Sequence, residues 1–197
     1  MYFTEITCWT EETVPIAFVM GKVMDVLHLA FVNLHHECGH NPIGVGFPEY
    51  LRQQSEYGRF VGLGTTIRLF SREVEHLERL KLTQQLRHLD DYLEMREGVA
   101  LERPNLKYAM FERVQPKTSR ERLIRRQAKR QGLDEADIRA RYQTFDEQRV
   151  DLPFLQLHSL STGQPFRLFI NKQAAQAPTE WQFGTYGLSN TVAVPDF

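Results

Sequence analysis

The chain has little cysteine: its 197 residues carry two, Cys8 and Cys38. Two thiols are too few for a disulfide framework, which excludes the small bridge-stapled secreted scaffolds and suits a reducing cytoplasm. An excess of charge is lacking too. Lys and Arg number 24 against 25 Asp and Glu, a net of −1, so the total charge argues neither for nor against a polyanionic partner. No leader is expected, because MYFTEIT has no basic start and Glu5 interrupts it early. Lys22 and Asp25 break the most apolar stretch, so no membrane span is expected either. Internal repeats and low-complexity tracts are missing. What remains is 42% hydrophobic and 25% charged residues, the balance of a chain that buries a core.

Patterning along the chain predicts an α+β protein. Tyr2 to Thr10 alternates as a strand does. Thr13 is a candidate cap for a long helix with Pro15 in its first turn, where a missing N–H costs little. In that helix Ile16, Met20, Val23, Leu27, Phe31 and Leu34 recur at three- and four-residue spacing, one buried stripe. Ile43–Phe47 and Thr66–Phe70 are short apolar runs, Ser71 can cap the helix SREVEHLERL, and Leu93–Leu101 completes the set. The order β-α-β-β-α-β is the ferredoxin-like arrangement, also used by many RNA-binding modules. Pro104 is a candidate boundary, which gives a domain over 1–104 and a second half over 105–197. The second half opens on the apolar Tyr108–Phe111, continues into a helix from Ser119 to Gln131 closed by Gly132, and then a helix from Asp134 to Phe145. Strand candidates Phe154–His158, Phe166–Ile170 and Phe183–Tyr186 predict a small antiparallel sheet at its end.

Charge is unevenly placed. Residues 113–142 hold ten Lys/Arg and four Asp/Glu, a local +6, which leaves −7 for the rest. On a helical wheel Arg122, Arg125, Arg126, Lys129 and Arg130 fall within an arc of roughly 140°, with Leu123, Ile124 and Ala128 on the other side. Like charges on one face repel one another and call for an anionic partner, of which nucleic acid is the commonest. A helix enters the B-DNA major groove easily and the deep, narrow A-form RNA groove poorly, except near the end of a short hairpin.

The stretches LPFLQLHSLSTGQPFRLFI and FGTYGLSN are more specific. Together with IGVGFP at 43–48, RVQ at 113–115 and ERLIRR at 121–126, in that order, they resemble the type I-F CRISPR repeat-processing endoribonuclease of the Cas-six family. The resemblance spans about residues 14–190 and is thin from 50 to 100. It implies a ferredoxin-like N-terminal domain carrying the catalytic histidine, and a C-terminal half with an arginine-rich helix. The implied substrate is precursor CRISPR RNA, cut at the 3′ base of the repeat stem-loop without metal or other cofactor. The implied products are a 5′-hydroxyl and a 2′,3′-cyclic phosphate. The enzyme would stay on the 3′ hairpin of the mature crRNA, beside other Cas proteins of the type I-F interference complex.

By the same resemblance His28, in LHLAFV, activates the ribose 2′-hydroxyl, Ser159 holds that ribose, and Tyr186 orients the histidine. Each alone reads as structural: a histidine beside an apolar stripe, a turn serine, a core tyrosine. The chemistry suits them, because RNA brings its own nucleophile and imidazole is the side chain whose ordinary titration lies nearest cellular pH. For binding, Arg113 and Gln115 match residues that read base edges at the bottom of the stem, and Arg126 the one that reaches the pair beside the cut. Arg125, Lys129 and Arg130 belong with the groove phosphates, Arg122 and Ser161 with the RNA-binding set, and Phe166 with an aromatic stacked under the terminal pair.

Three features depart from the pattern, one of them the C-terminal NTVAVPDF, which is less aromatic than the family's ending. His158 stands where the family has an arginine, and His35-His36-Glu37-Cys38-Gly39-His40 lengthens the connection after the first helix. That segment looks like a metal site, yet its spacing is not that of a zinc finger and no second ligand pair stands out, so no metal site is assigned. The rival readings are a non-cleaving hairpin-binding subunit of such a complex and a metal hydrolase built on this segment.

Overall fold

The computed structural model describes residues 1–11, 13–55, 58–116, 120–141, 150–159 and 162–197. By their contacts they form two compact units, Met1–Val114 with Leu152–Phe197, and Gln115–Asp151.

The larger unit begins with β1 (Tyr2–Cys8), α1 (Ile16–Cys38) and β2 (Gly44–Gly46), then β3 (Leu51–Ser55), β4 (Gly58–Gly62) and β5 (Thr66–Ser71). Short helices α2 (Val74–Glu78) and α3 (Leu82–Gln85) and a 3₁₀ segment at Arg87–Tyr92 lead into β6 (Leu93–Ala100). The first sheet has the order β2-β5-β1-β6, antiparallel between neighbours. Thus β1 and β2, joined through α1, are separated by β5, the split β-α-β of the ferredoxin-like arrangement. In β1 the side chains of Thr4, Ile6 and Cys8 alternate inward, as a half-buried strand requires. Burial pushes the Cys8 thiol up to about 12, which keeps it protonated.

Helix α1 is long and apolar enough, by length and composition, to cross a membrane. Here its apolar side lies in the core: Val23, Leu27 and Phe31 are fully buried, with Met20 and Leu34 almost so. Each such side chain contributes about 1.5–3 kcal/mol when buried, so packing rather than capping holds the helix. Pro15, not Thr13, is the N-cap, and no side chain caps it. Gly39, in the left-handed conformation, ends the helix.

The second sheet is also antiparallel, in the order β10-β7-β9-β8, from β7 (Lys107–Val114), β8 (Phe154–His158), β9 (Pro165–Ala175) and β10 (Val194–Asp196). Its Ala109, Phe111, Leu155, Leu157, Leu168 and Val194 share one core cluster with α1 and the first sheet. The smaller unit holds α4 (Arg120–Gln131) and α5 (Glu135–Arg141).

Several expectations change. Phe183–Tyr186 is not a strand: Phe183 forms a single bridge to Asn41, a turn follows, and β10 is the third partner of the sheet. The β3–β4 hairpin has no counterpart in the expected order, because its strands, exposed at Leu51, Phe60 and Val61, lack a strong period-two signal. The helix expected after Ser71 is two short pieces, with the Ser71 hydroxyl accepting from the Glu73 N–H. Ser119, Ser161 and the expected helix end beyond Arg141 lie outside the described residues.

Candidate active site

His28 lies half-buried on α1, and its ring Nδ1 is 2.8 Å from the carbonyl oxygen of Thr185. A carbonyl only accepts, so Nδ1 carries the proton and donates it. In the neutral ring this leaves Nε2 as the site with a lone pair. Tyr186 lies flat on the imidazole, ring centroids 4.1 Å apart and planes 5° from parallel. One bond and one stacked face fix both the tautomer and the orientation of the ring.

The loop presenting Thr185 and Tyr186 is anchored by the segment just past α1. Buried Asn41 donates from Nδ2 to the Gly184 carbonyl at 2.8 Å, while its own backbone carbonyl accepts from Phe183. The Trp181 indole donates to the Pro42 carbonyl, and Val45 N–H to the Gly187 carbonyl, both at 2.8 Å. Gly187 closes the turn at φ +70°, where a Cβ would lie 2.3 Å from a Val45 methyl, so only glycine fits. Leaving Asn41 without these partners would expose buried polar groups, which costs about 1–3 kcal/mol each.

Strand β8 brings the second candidate element to the same helix. A Cβ on Gly21 would lie 2.9 Å from the Gln156 carbonyl oxygen, so glycine there lets the strand backbone lie against α1. The strand ends at His158 and is followed by Ser159, whose backbone N–H donates to the Gln164 carbonyl and whose carbonyl accepts from Gly163. Asp25, one helical turn before His28, faces this strand end. Burial pushes its carboxyl above the usual range, against the pull of Lys22, the His158 backbone N–H, and the His158 and His28 side chains.

Beyond Tyr186 the site continues into Phe166 and Arg113. The Phe166 and Tyr186 rings meet edge-on at 6.4 Å, and the Arg113 guanidinium lies 5.4 Å and 5.3 Å from the two ring centroids. Burial raises the Tyr186 hydroxyl, the Arg113 charge lowers it, and Asp25 raises it further. The phenol is therefore an O–H donor at neutral pH. Arg113 is exposed at the end of β7, and the ion pairs among the described residues do not include it.

His28, Tyr186, Phe166 and Arg113 thus come together, with Ser159 at the end of the strand packed on α1. Asp25, Asn41 and the Thr185 carbonyl were not singled out in the sequence. Asp25 had a signal, its three-residue spacing from His28 on one helical face. A buried loop asparagine and a backbone carbonyl leave none.

In the smaller unit Ile124 and Ala128 of α4 pack with Ile138 of α5 as a small core of their own. Arg125, Arg126, Lys129 and Arg130 are exposed, and none is in an ion pair among the described residues. Gln115 is exposed, and Arg122 lies within α4. His35, His36 and Glu37 stand exposed at the end of α1, and His40 Nδ1 is 3.2 Å from the Cys38 carbonyl. Among the described residues no three of His, Cys, Asp and Glu gather closely enough to hold an ion.

Residues 3–197 match the profile of a family described as CRISPR-associated protein (Cas_Csy4). A protein of Pseudomonas aeruginosa (strain UCBPP-PA14), CRISPR-associated endonuclease Cas6/Csy4, is 34% identical over 197 residues, 100% of this chain and 99% of that one. A protein of the same name from Escherichia coli (strain UTI89 / UPEC) is 34% identical over 172 residues, 85% of this chain and 87% of its own. With a profile match over nearly its whole length and a full-length relative at this identity, the chain belongs to the Cas_Csy4 family of CRISPR-associated proteins.

Proposed function

We propose that this member of the family is an endoribonuclease that cuts precursor CRISPR RNA at the 3′ base of the repeat stem-loop without a metal ion. The observation that carries this reading is the imidazole of His28, with Nδ1 bound to the Thr185 carbonyl, a face covered by Tyr186 and Nε2 left as acceptor. Such a group suits one task, taking a proton from a substrate hydroxyl. RNA supplies that hydroxyl at the ribose 2′ position, so no activated water is required.

In the proposed reaction Nε2 of His28 accepts the 2′-hydroxyl proton while the 2′ oxygen bonds to the adjacent phosphorus. The bond from phosphorus to the 5′ oxygen of the next nucleotide breaks, and that oxygen leaves as a 5′-hydroxyl after taking up a proton. A positioned base of this kind contributes about 10² to 10⁴-fold. Ser159 holds the ribose for in-line attack, an entropic contribution. Tyr186 keeps the imidazole plane fixed. Phe166 stacks under the last pair of the stem, and Arg113 and Gln115 read its base edges. Ser161 and the cations Arg122, Arg125, Arg126, Lys129 and Arg130 hold the rest of the hairpin. On this reading residues 1–104 supply the base and residues 105–197 the RNA contacts. The protein stays on the 3′ hairpin in the cytoplasm as a subunit beside other Cas proteins of the type I-F complex.

The test is cleavage of the cognate repeat RNA in excess EDTA, beside an RNA carrying 2′-deoxyribose just upstream of the cut. The native RNA should be cut once, and the 2′-deoxy RNA bound and left whole. Cleavage of the 2′-deoxy RNA or a strict metal requirement would overturn the mechanism. Tight binding of the native RNA without any cleavage would make the protein a hairpin-binding subunit only.

A further inference from the structure

Next to His28, towards the start of α1, lies a cavity of about 300 Å³ that the roles proposed above leave unused. Phe18, Lys22 and Asp25 of α1 line one side, and Phe154, Gln156 and His158 of β8 line the other. Two of these side chains are unusual for a protein surface: Phe18 is 56% exposed and Phe154 is 39% exposed. Each ring has a cation over it, Lys22 Nζ at 5.4 Å from the Phe18 centroid and the Arg167 guanidinium at 4.7 Å from that of Phe154. Exposed aromatic faces beside cations are the equipment with which proteins hold unpaired nucleotides: the rings stack bases and the cations meet phosphates. Two acceptors complete the cavity. Gln156 Nε2 is committed to the Phe166 carbonyl at 3.2 Å, which leaves its side-chain oxygen, and Asp25 adds a carboxylate. Every nucleobase except an alkylated one offers an N–H to such acceptors, so the cavity suits a base without selecting one.

Its position gives the occupant. At the helical rise, Asp25 lies about 4.5 Å from His28 along the axis and Lys22 about 9 Å. Tyr186 stacks on His28 itself, and Phe166 with Arg113 adjoins Tyr186. Phe166, Tyr186, His28, Asp25 and the cavity therefore form one continuous track. If the stem base sits at Phe166 and the reacting phosphate at His28, the cavity with Lys22 is the next surface along this series of contacts for the strand beyond the cut.

We propose that this cavity is the subsite for the ribonucleotide immediately downstream of the cut, its base against Phe154 and Phe18 and its backbone beside Lys22. The location of the cut rests on the endoribonuclease reading. The aromatic and cationic lining does not.

Two measurements test it together. The first compares kcat/KM for a repeat RNA with a base, and with an abasic ribose, at the first downstream position. The native protein should prefer the base by about fivefold to a hundredfold, the effect of stacking one base. Phe154→Ala should bring that ratio towards one, and so should Phe18→Ala, whose more exposed ring is the safer change for folding. The second places 2-aminopurine at the same position in an RNA blocked by 2′-deoxyribose upstream. Binding to the native protein should quench its fluorescence, and either variant should weaken the quenching. Equal rates with and without the base, or unchanged fluorescence on binding, would overturn the subsite and leave this surface to a protein neighbour. If neither unblocked RNA is cut, the endoribonuclease reading fails, and the fluorescence change alone decides whether the cavity holds a nucleotide.

Discussion

The His28 site and the arginine helix are built differently, and the roles proposed for them set different physical problems. The first is held by bonds that join distant parts of the chain: His28 to Thr185, Asn41 to Gly184, Trp181 to Pro42. All of these close around one large core. The second has a core of Ile124, Ala128 and Ile138 among its described residues, and a row of exposed cations. A proton acceptor must be placed to within fractions of an ångström, because transfer depends on hydrogen-bond geometry. Attraction between arginine and phosphate decays over roughly 10 Å at moderate salt, so a helix that meets phosphates needs no such exact placement. On the proposed roles, packing and hydrogen bonds are concentrated where geometry would decide the rate, and charge where proximity would be enough.

The largest expected effect separates the two regions cleanly. His28→Ala should lower the cleavage rate by about 10²-fold or more and leave hairpin affinity nearly unchanged, since the base acts in the transition state. Arg126→Ala should do the reverse, weakening binding and leaving the rate at saturating RNA close to native. Single-turnover rates and binding titrations on the same RNA check both. If His28→Ala cuts normally, the proton acceptor lies elsewhere. If Arg126→Ala slows the saturated rate as much as it weakens binding, the helix takes part in the chemistry and the contrast fails.

What the sequence made legible follows the same division. The long helix, the strands of the first sheet and β8 were readable, because apolar period and turn residues specify them locally. The exposed cations of the helix were readable from a wheel alone, because the helical period decides which residues share a face. The active-site loop was not: Phe183 to Tyr186 has the composition of a strand, yet Asn41, Pro42 and Val45 capture it in a turn from more than a hundred residues away. His28, Ser159 and Tyr186 were reached only through a family resemblance, since each alone has a plain structural reading. Asp25 shows the limit from the other side. Its spacing from His28 is visible, but the strand end it faces belongs to a segment far along the chain.

The second prediction attacks the weaker core. Ile138 is fully buried, so Ile138→Asp places a charge among Ile124 and Ala128 with no partner in that cluster. Hairpin affinity should fall by about tenfold, while the melting temperature of the larger unit stays within a degree or two. Excess RNA should restore helical circular dichroism, because bound phosphates offset the repulsion among the cations. A loss of stability in the larger unit of the same size would mean that the two regions fold as one. A third, smaller effect belongs to Lys129→Ala. The slope of log affinity against log salt should shrink by a fraction of a unit to about one unit, equally for the native stem and for one with swapped pairs, because phosphates carry no sequence.

The smallest effect returns to the rigid region and concerns Asp25. Its carboxyl is held above the usual range mainly by burial, with Lys22, the His158 backbone N–H, and the His158 and His28 side chains only partly compensating. The folded chain therefore binds this proton more readily than the unfolded chain does. Ionising the group costs stability, fully at pH values above its raised folded value, and that cost disappears as the pH falls through it. Asp25→Asn removes the charge and keeps the shape and an acceptor oxygen. The variant should melt slightly higher than native protein at pH 7, and the difference should close as the pH is lowered into the carboxylate range. Melting curves across that range check the sign. A variant that melts lower at pH 7 would mean that Lys22 and the His158 N–H outweigh burial. The carboxylate would then act as a clamp between α1 and β8, and the rigid region would draw on charge as well as on packing.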